Sequence, residues 1–156
     1  MIREKVDFLK SETFKKLQLL TEDCKPIWGV MNPQEMTEHL ADFFDLSTEK
    51  VKTKLYTTEE HLPRYKEFLM SEKEFRENTK APTDLLGEKP LPLRLPSLAC
   101  AKENLQASVN NFFNYFSGDE NKKTFHPVFG LLNFEEWIML HFKHVLHHLK
   151  QFNLVA

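Results

Sequence analysis

The chain is poor in the features that would assign it to the commonest functional classes. It has two cysteines, Cys24 and Cys100, far apart and in no CxxC pattern. That spacing excludes a disulfide framework and reads as two unpaired thiols in a reducing cytoplasm. Neither sign of charge dominates: 21 basic and 23 acidic residues leave a net charge of −2. No electrostatic footprint for nucleic acid is present. No apolar run approaches the roughly 20 residues of a membrane span. The opening MIREKVDFLK is too charged for the apolar region of a signal peptide. There is no internal repeat, no low-complexity tract, no sustained period-2 alternation, no Ser/His/Asp or cysteine nucleophile signature, and no HExxH.

What is present is a helical, phenylalanine-rich core. Of 156 residues, 41% are apolar and 14 are phenylalanine, enough for one domain over residues 1–156. Ile2, Val6, Leu9, Leu17 and Leu20 recur at helical steps, with an interruption expected at Ser11 to Thr13. Pro26 and Gly29 break the pattern, and Trp28 between them is expected to plug the core. Asn32-Pro33-Gln34-Glu35 combines a capping side chain, a proline suited to the first turn and a box-closing acid, so a helix is expected to about Leu46. Met36, Leu40, Phe43 and Phe44 form its apolar face, with His39 among them.

Tyr65 to Phe75 reads as a short helix laid over the rest, anchored by Phe68, Leu69 and Phe75. Lys80 to Pro96 reads as a long proline-stiffened crossover. Ser97 caps a helix to about Phe116, and the loop NKKTFHPVFGLL follows. Asn133 caps a last helix whose first turn carries Glu135 and Glu136. The expected fold is all-α, a four-helix bundle with a long crossover between its second and third helices.

Four of the seven histidines lie between Trp137 and Phe152. On a wheel at about 100° per residue, His144, His148 and His141 share a stripe about 60° wide. Lys143, Lys150 and Glu136 fall on the far side, and His147 at the solvent edge. His144 and His148, four apart, can reach one ion. Imidazole suits borderline divalent metals, and a third ring from a facing helix leaves an open position for water or substrate. His39 meets that requirement if its helix faces the last one. His141 and His126 compete as ligands, and Gln151 either stands as a helix-surface amide or hydrogen-bonds a ligating imidazole and fixes its tautomer. The same pattern also fits a histidine-rich helix edge that holds no metal.

WGVMNPQEMTEHL, then HPVFG, then EEWIMLHFKHVLHHLKQF together resemble the DinB/YfiT-like superfamily. The closer likeness is to a branch with the recurrent pattern WG.M….M..H, HP.FG and W…..KH..HHL.QF. The resemblance spans Pro26 to Phe152 in the same motif order. It implies a four-helix bundle with a divalent metal, zinc or nickel, on His39, His144 and His148. In the related branch an acid stands two residues before the second ligand of the last helix; here that position is Leu146.

The superfamily includes transferases and isomerases dependent on low-molecular-weight thiols such as mycothiol, bacillithiol or glutathione-like compounds, while much of it has no established reaction. The resemblance therefore implies a metal-dependent thiol S-transferase, isomerase or hydrolase, with His141, His126 or Gln151 supporting the ligands and Trp137 walling the pocket or filling the core. A homodimer is a further expectation. The alternative is a non-catalytic metal- or small-molecule-binding module in which metal fastens two helices together.

Overall fold

A computed structural model of the chain describes residues 2–77, Thr79 and residues 90–156. It opens with α1 (Ile2–Asp7), a π-helical turn (Phe8–Glu12) and α2 (Thr13–Leu17). Asp7 and Glu12 at the joints keep helical backbone angles, so the three pieces form one continuous run. The expected interruption is this widened turn. Thr13 closes it, its hydroxyl donating to the Phe8 carbonyl five residues back at 2.9 Å. The extra residue per turn rephases the helix, so that Leu9 and Leu17 both face the core. The run then tightens: the amides of Leu19 and Leu20 bond carbonyls three residues back.

α3 spans Pro33–Ser47 and α5 spans Leu98–Phe116. Between them lie α4 (Leu62–Met70), entered through a 3₁₀ turn at Glu59–His61, and α6 closes the chain at Phe134–Gln151. Asn32 and Asn133 each make the full capping box with the glutamate three residues on. α6 ends in a Schellman motif: Asn153 takes φ 57° and the Leu154 amide bonds the Leu149 carbonyl at 2.8 Å. Both ends of α6 are therefore pinned. Most of the crossover expected at Lys80 to Pro96 lies outside the described residues; those from Pro90 to Pro96 form no helix.

α3 and α5 pack along each other, and α6 lies against α1, α2, α3 and α4. The apolar faces read from the sequence meet in one core that includes Met36, Leu40, Phe44, Phe112, Trp137 and Leu149. α6 is covered more completely than its wheel suggests. Lys143, expected on the solvent side, is 4% exposed. Its ammonium donates to the carbonyls of Ser71, at 2.6 Å, and Lys73. On the same face Lys150 pairs with Glu74 and Glu136 with Lys66. The polar side of α6 is thus an interface with α4 and the segment that follows it. Phe68 and Phe75, 5.4 Å apart, and fully buried Leu69 anchor that cover.

An all-α fold is corrected in one place. Thr124–His126 and Gly130–Leu132 form a small antiparallel hairpin, with His126 opposite Gly130. Three residues per strand are too few for period-2 alternation to be seen in the sequence. Gly130 takes φ 79°, which a side chain would strain. Thr124 fixes the hairpin to the helices: its hydroxyl donates to the Ser47 carbonyl and accepts from Trp137 Nε1, both at 2.7 Å. No helix among the described residues is long and apolar enough to cross a membrane.

Candidate metal centre

His39 lies on the border of the α3 face that buries Met36 and Leu40, and Phe43 follows it one turn on. His144 and His148 come from the pinned α6 and are 8% and 6% exposed. The facing required by the sequence is met. His39 Nε2 is 3.0 Å from His144 Nε2, and His148 Nε2 is 3.2 Å from it. One nitrogen from each ring lies within 4.8 Å of the others. Nitrogens held by one tetrahedral zinc at about 2.0–2.1 Å stand about 3.3 Å apart. The three rings therefore fit one cation with little movement.

Their protonation states fit as well. Burial, reinforced by His147, lowers His39 to about 4. Burial first, then the neighbouring imidazoles, holds His144 and His148 well below the ordinary histidine value. All three are neutral near pH 7 and offer lone pairs. For His148 the tautomer follows from its neighbours. Gln151 Nε2 donates to the Trp28 carbonyl at 3.0 Å, so its Oε1 must face His148 Nδ1, 2.7 Å away. Nδ1 then carries the proton and Nε2 the lone pair turned toward the cluster. Gln151 is therefore a buried partner of His148 and not the helix-surface amide that the sequence equally allows.

Gly29 is what makes that contact possible. It adopts φ 78°, and a Cβ there would stand 2.9 Å from Gln151 Nε2. The Ile27 amide also bonds the Gln151 carbonyl at 2.7 Å. The WG pair is thus a backbone rest for Gln151. Trp28, expected as a core plug, is half-buried and packs against His147 at 5.3 Å between centroids. His147 is half-buried rather than at a solvent edge.

The two competing histidines go elsewhere. His141 is stacked between Phe44, at 3.9 Å, and Trp137, at 5.3 Å. Ser47 spends its hydroxyl proton on the Phe44 carbonyl, so His141 Nε2 donates to Ser47 Oγ at 3.0 Å. It is a fully buried core residue, and so is Trp137. His126 sits on the hairpin, and its Nδ1 accepts from the amides of Val128 and Phe129 at 2.9 and 3.2 Å. Leu146, where the resemblance leads to the expectation of an acid, lines a separate hollow of about 340 Å³ beside Ile27, His147 and Ala156. It is not among the three imidazoles.

The cluster borders an open cleft of about 2130 Å³, walled by Phe43, Tyr65, His126 and Phe129 among others. Phe43, read as core from the sequence, is half-buried, and its ring lies 4.1 Å from that of His144. On the rim, Arg94 forks onto Asp42 at 2.9 and 2.7 Å, and its amide bonds buried Glu38. These rim residues escaped the sequence reading. The i, i+4 acids beside His39 were a signal, but their basic partner is 52 residues away from Asp42.

A family model described as the DinB superfamily matches residues 12–152. No curated protein and no solved structure matches the chain. The matched span contains the capped α3, the hairpin and the whole of α6 with its paired histidines, and on that match the chain belongs to the DinB superfamily.

Proposed function

We propose that His39, His144 and His148 bind one divalent metal, and that the protein is a metal-dependent enzyme acting on a thiol or another small nucleophile in the cleft. The observation that carries this reading is the convergence of three neutral imidazoles at a cleft, with no cysteine or carboxylate among the described residues in the cluster to close a fourth position. A cation held there supplies Lewis acidity that favours the deprotonated form of a bound thiol or water. The chain's own part is to fix the ligands: Gln151 sets the His148 tautomer, and the capped ends of α6 set its register. A thiol S-transferase is the specific activity favoured, with zinc or nickel as the metal and a low-molecular-weight thiol as co-substrate. The architecture proposed is the four-helix bundle of the superfamily, formed in a single domain by the α1–α2 run, α3, α5 and α6.

Metal content of untagged protein tests the site. About one metal per chain in the wild type and none in a His39→Ala/His144→Ala pair is expected. With occupancy established, a panel of thiols and electrophiles tests turnover. A second reading has its own observation: the three histidines join α3 to α6, so the metal also fastens two helices. Full occupancy, a large thermal shift on chelation and no turnover with any thiol–electrophile pair would favour a structural metal.

A further inference from the structure

His126 holds a donor that the fold leaves unused. Its Nδ1 accepts two backbone N–H groups, which requires a lone pair there and places the ring proton on Nε2. Nε2 is buried and has no hydrogen-bond partner among the described residues. A buried donor left unmet is costly, because it has given up its hydrogen bond to water for none in the fold. Its edge-on approach to Trp137, 5.6 Å between centroids, is a weak substitute for an oxygen acceptor. The ring forms part of the same cleft wall as the three-histidine cluster, with Phe43 between: Phe43 is 6.1 Å from His126 and 4.1 Å from His144. Phe43, Phe129 and Trp137 have their rings within 6.1 Å of the His126 ring, so its N–H stands among apolar and aromatic side chains. Such surroundings select a ligand with an apolar body and one oxygen acceptor.

We infer that His126 contacts the ligand of the cleft, its Nε2–H donating to a carbonyl or carboxylate oxygen of a molecule bound beside His144. This rests on the metal reading above. Burial keeps the ring neutral, its pKa lowered to about 3, so it serves as a donor of fixed tautomer and not as an acid at neutral pH.

The test separates this role from upkeep of the hairpin. His126→Asn retains an oxygen where Nδ1 accepts the two amides, as in an Asx turn, and removes the Nε2–H. His126→Gln restores an N–H near the Nε2 position. Cobalt(II)-loaded protein is titrated with acetate, butyrate and benzoate, and affinity is read from the cobalt absorption bands. His126→Asn is expected to keep the cobalt spectrum and to weaken at least one carboxylate about tenfold. His126→Gln is expected to recover part of that loss. Carboxylate affinities that all stay unchanged in His126→Asn overturn the inference and leave the donor to Trp137. A fall in cobalt affinity itself also overturns it, because His126 would then act on the ligand set. Wild-type protein that takes up no cobalt removes the metal reading, and this inference with it. Imidazole nitrogen NMR on the metal-free protein adds an independent check: a proton found on Nδ1 of His126 overturns the inference.

Discussion

At the scale of single residues, the three-histidine cluster depends on groups outside its own rings. Gly29 allows Gln151 to approach, and Gln151 sets the His148 proton. Gly29→Ala forces an L side chain into left-handed backbone and presses on the Gln151 amide. We expect a stability loss of about 1–2 kcal/mol in denaturant titration. Zinc affinity should fall roughly 10–100-fold in chelator competition, as it does for lost outer partners of metal-bound histidine. Gln151→Ala should give the same affinity loss without the backbone strain, and equal zinc affinity in all three proteins would refute this chain of support.

Acid should unfold the metal-free protein through its buried imidazoles. The folded pKa of His126, about 3, and of His39, about 4, lie below the unfolded value near 6.5. The unfolded chain therefore binds protons first. Stability is complete above pH 6.5 and falls as pH drops toward the folded values, by about 1.4 kcal/mol per pH unit for each such histidine. Urea midpoints measured from pH 7 to pH 4 should fall steeply, and a flat profile would contradict the burial of these rings.

At the scale of elements, α6 is the piece that the sequence described best and also misdescribed. Its cap, length and histidine stripe were legible because Asn133, the acids of the first turn and the i, i+4 spacing are local signals. Its orientation was not. A helical wheel divides apolar from polar, and Lys143 is polar; only tertiary structure shows that its charge meets the carbonyls of Ser71 and Lys73. Lys143→Met keeps the stem and removes the donor, leaving two carbonyls short of a partner. The expected cost is about 1.5–3 kcal/mol. Faster amide hydrogen exchange should be confined to α4 and the segment to Phe75. A uniform rise in exchange across α3 and α5 as well would mean that Lys143 serves the core and not the cover.

The hairpin was illegible for a different reason: its strands are three residues each, and its anchors, Ser47 and Trp137, come from helices on either side in the sequence. His126 was noticed as a histidine beside a proline, but its tautomer follows from a turn that only the folded backbone supplies. His141 shows the converse. It shares the stripe of His144 on a wheel, yet one turn of the helix moves it from the cleft into the Phe44–Trp137 stack.

For the molecule as a whole, the proposed metal would join α3 to α6, which otherwise meet through the core. Anything bound only by the folded state stabilises it by mass action, about 4 kcal/mol at 1,000 times Kd. Removing metal with a chelator should lower the melting temperature, and restoring zinc should return it. The His39→Ala/His144→Ala pair should show no such zinc-dependent shift. A chelator effect of equal size in that pair would place the metal elsewhere on the chain.

The three imidazoles stand on long helices, whereas much of the cleft wall comes from connections that do not brace them: the 3₁₀ turn with α4, and the hairpin. On the proposed function, chemistry and choice of guest would thereby be lodged in separable parts of the chain. Substitutions in the connections can alter which molecules are admitted while the ligand triangle keeps its shape. The same scaffold can thus be retuned by exchanging its borders, a route open to natural drift and to laboratory selection alike.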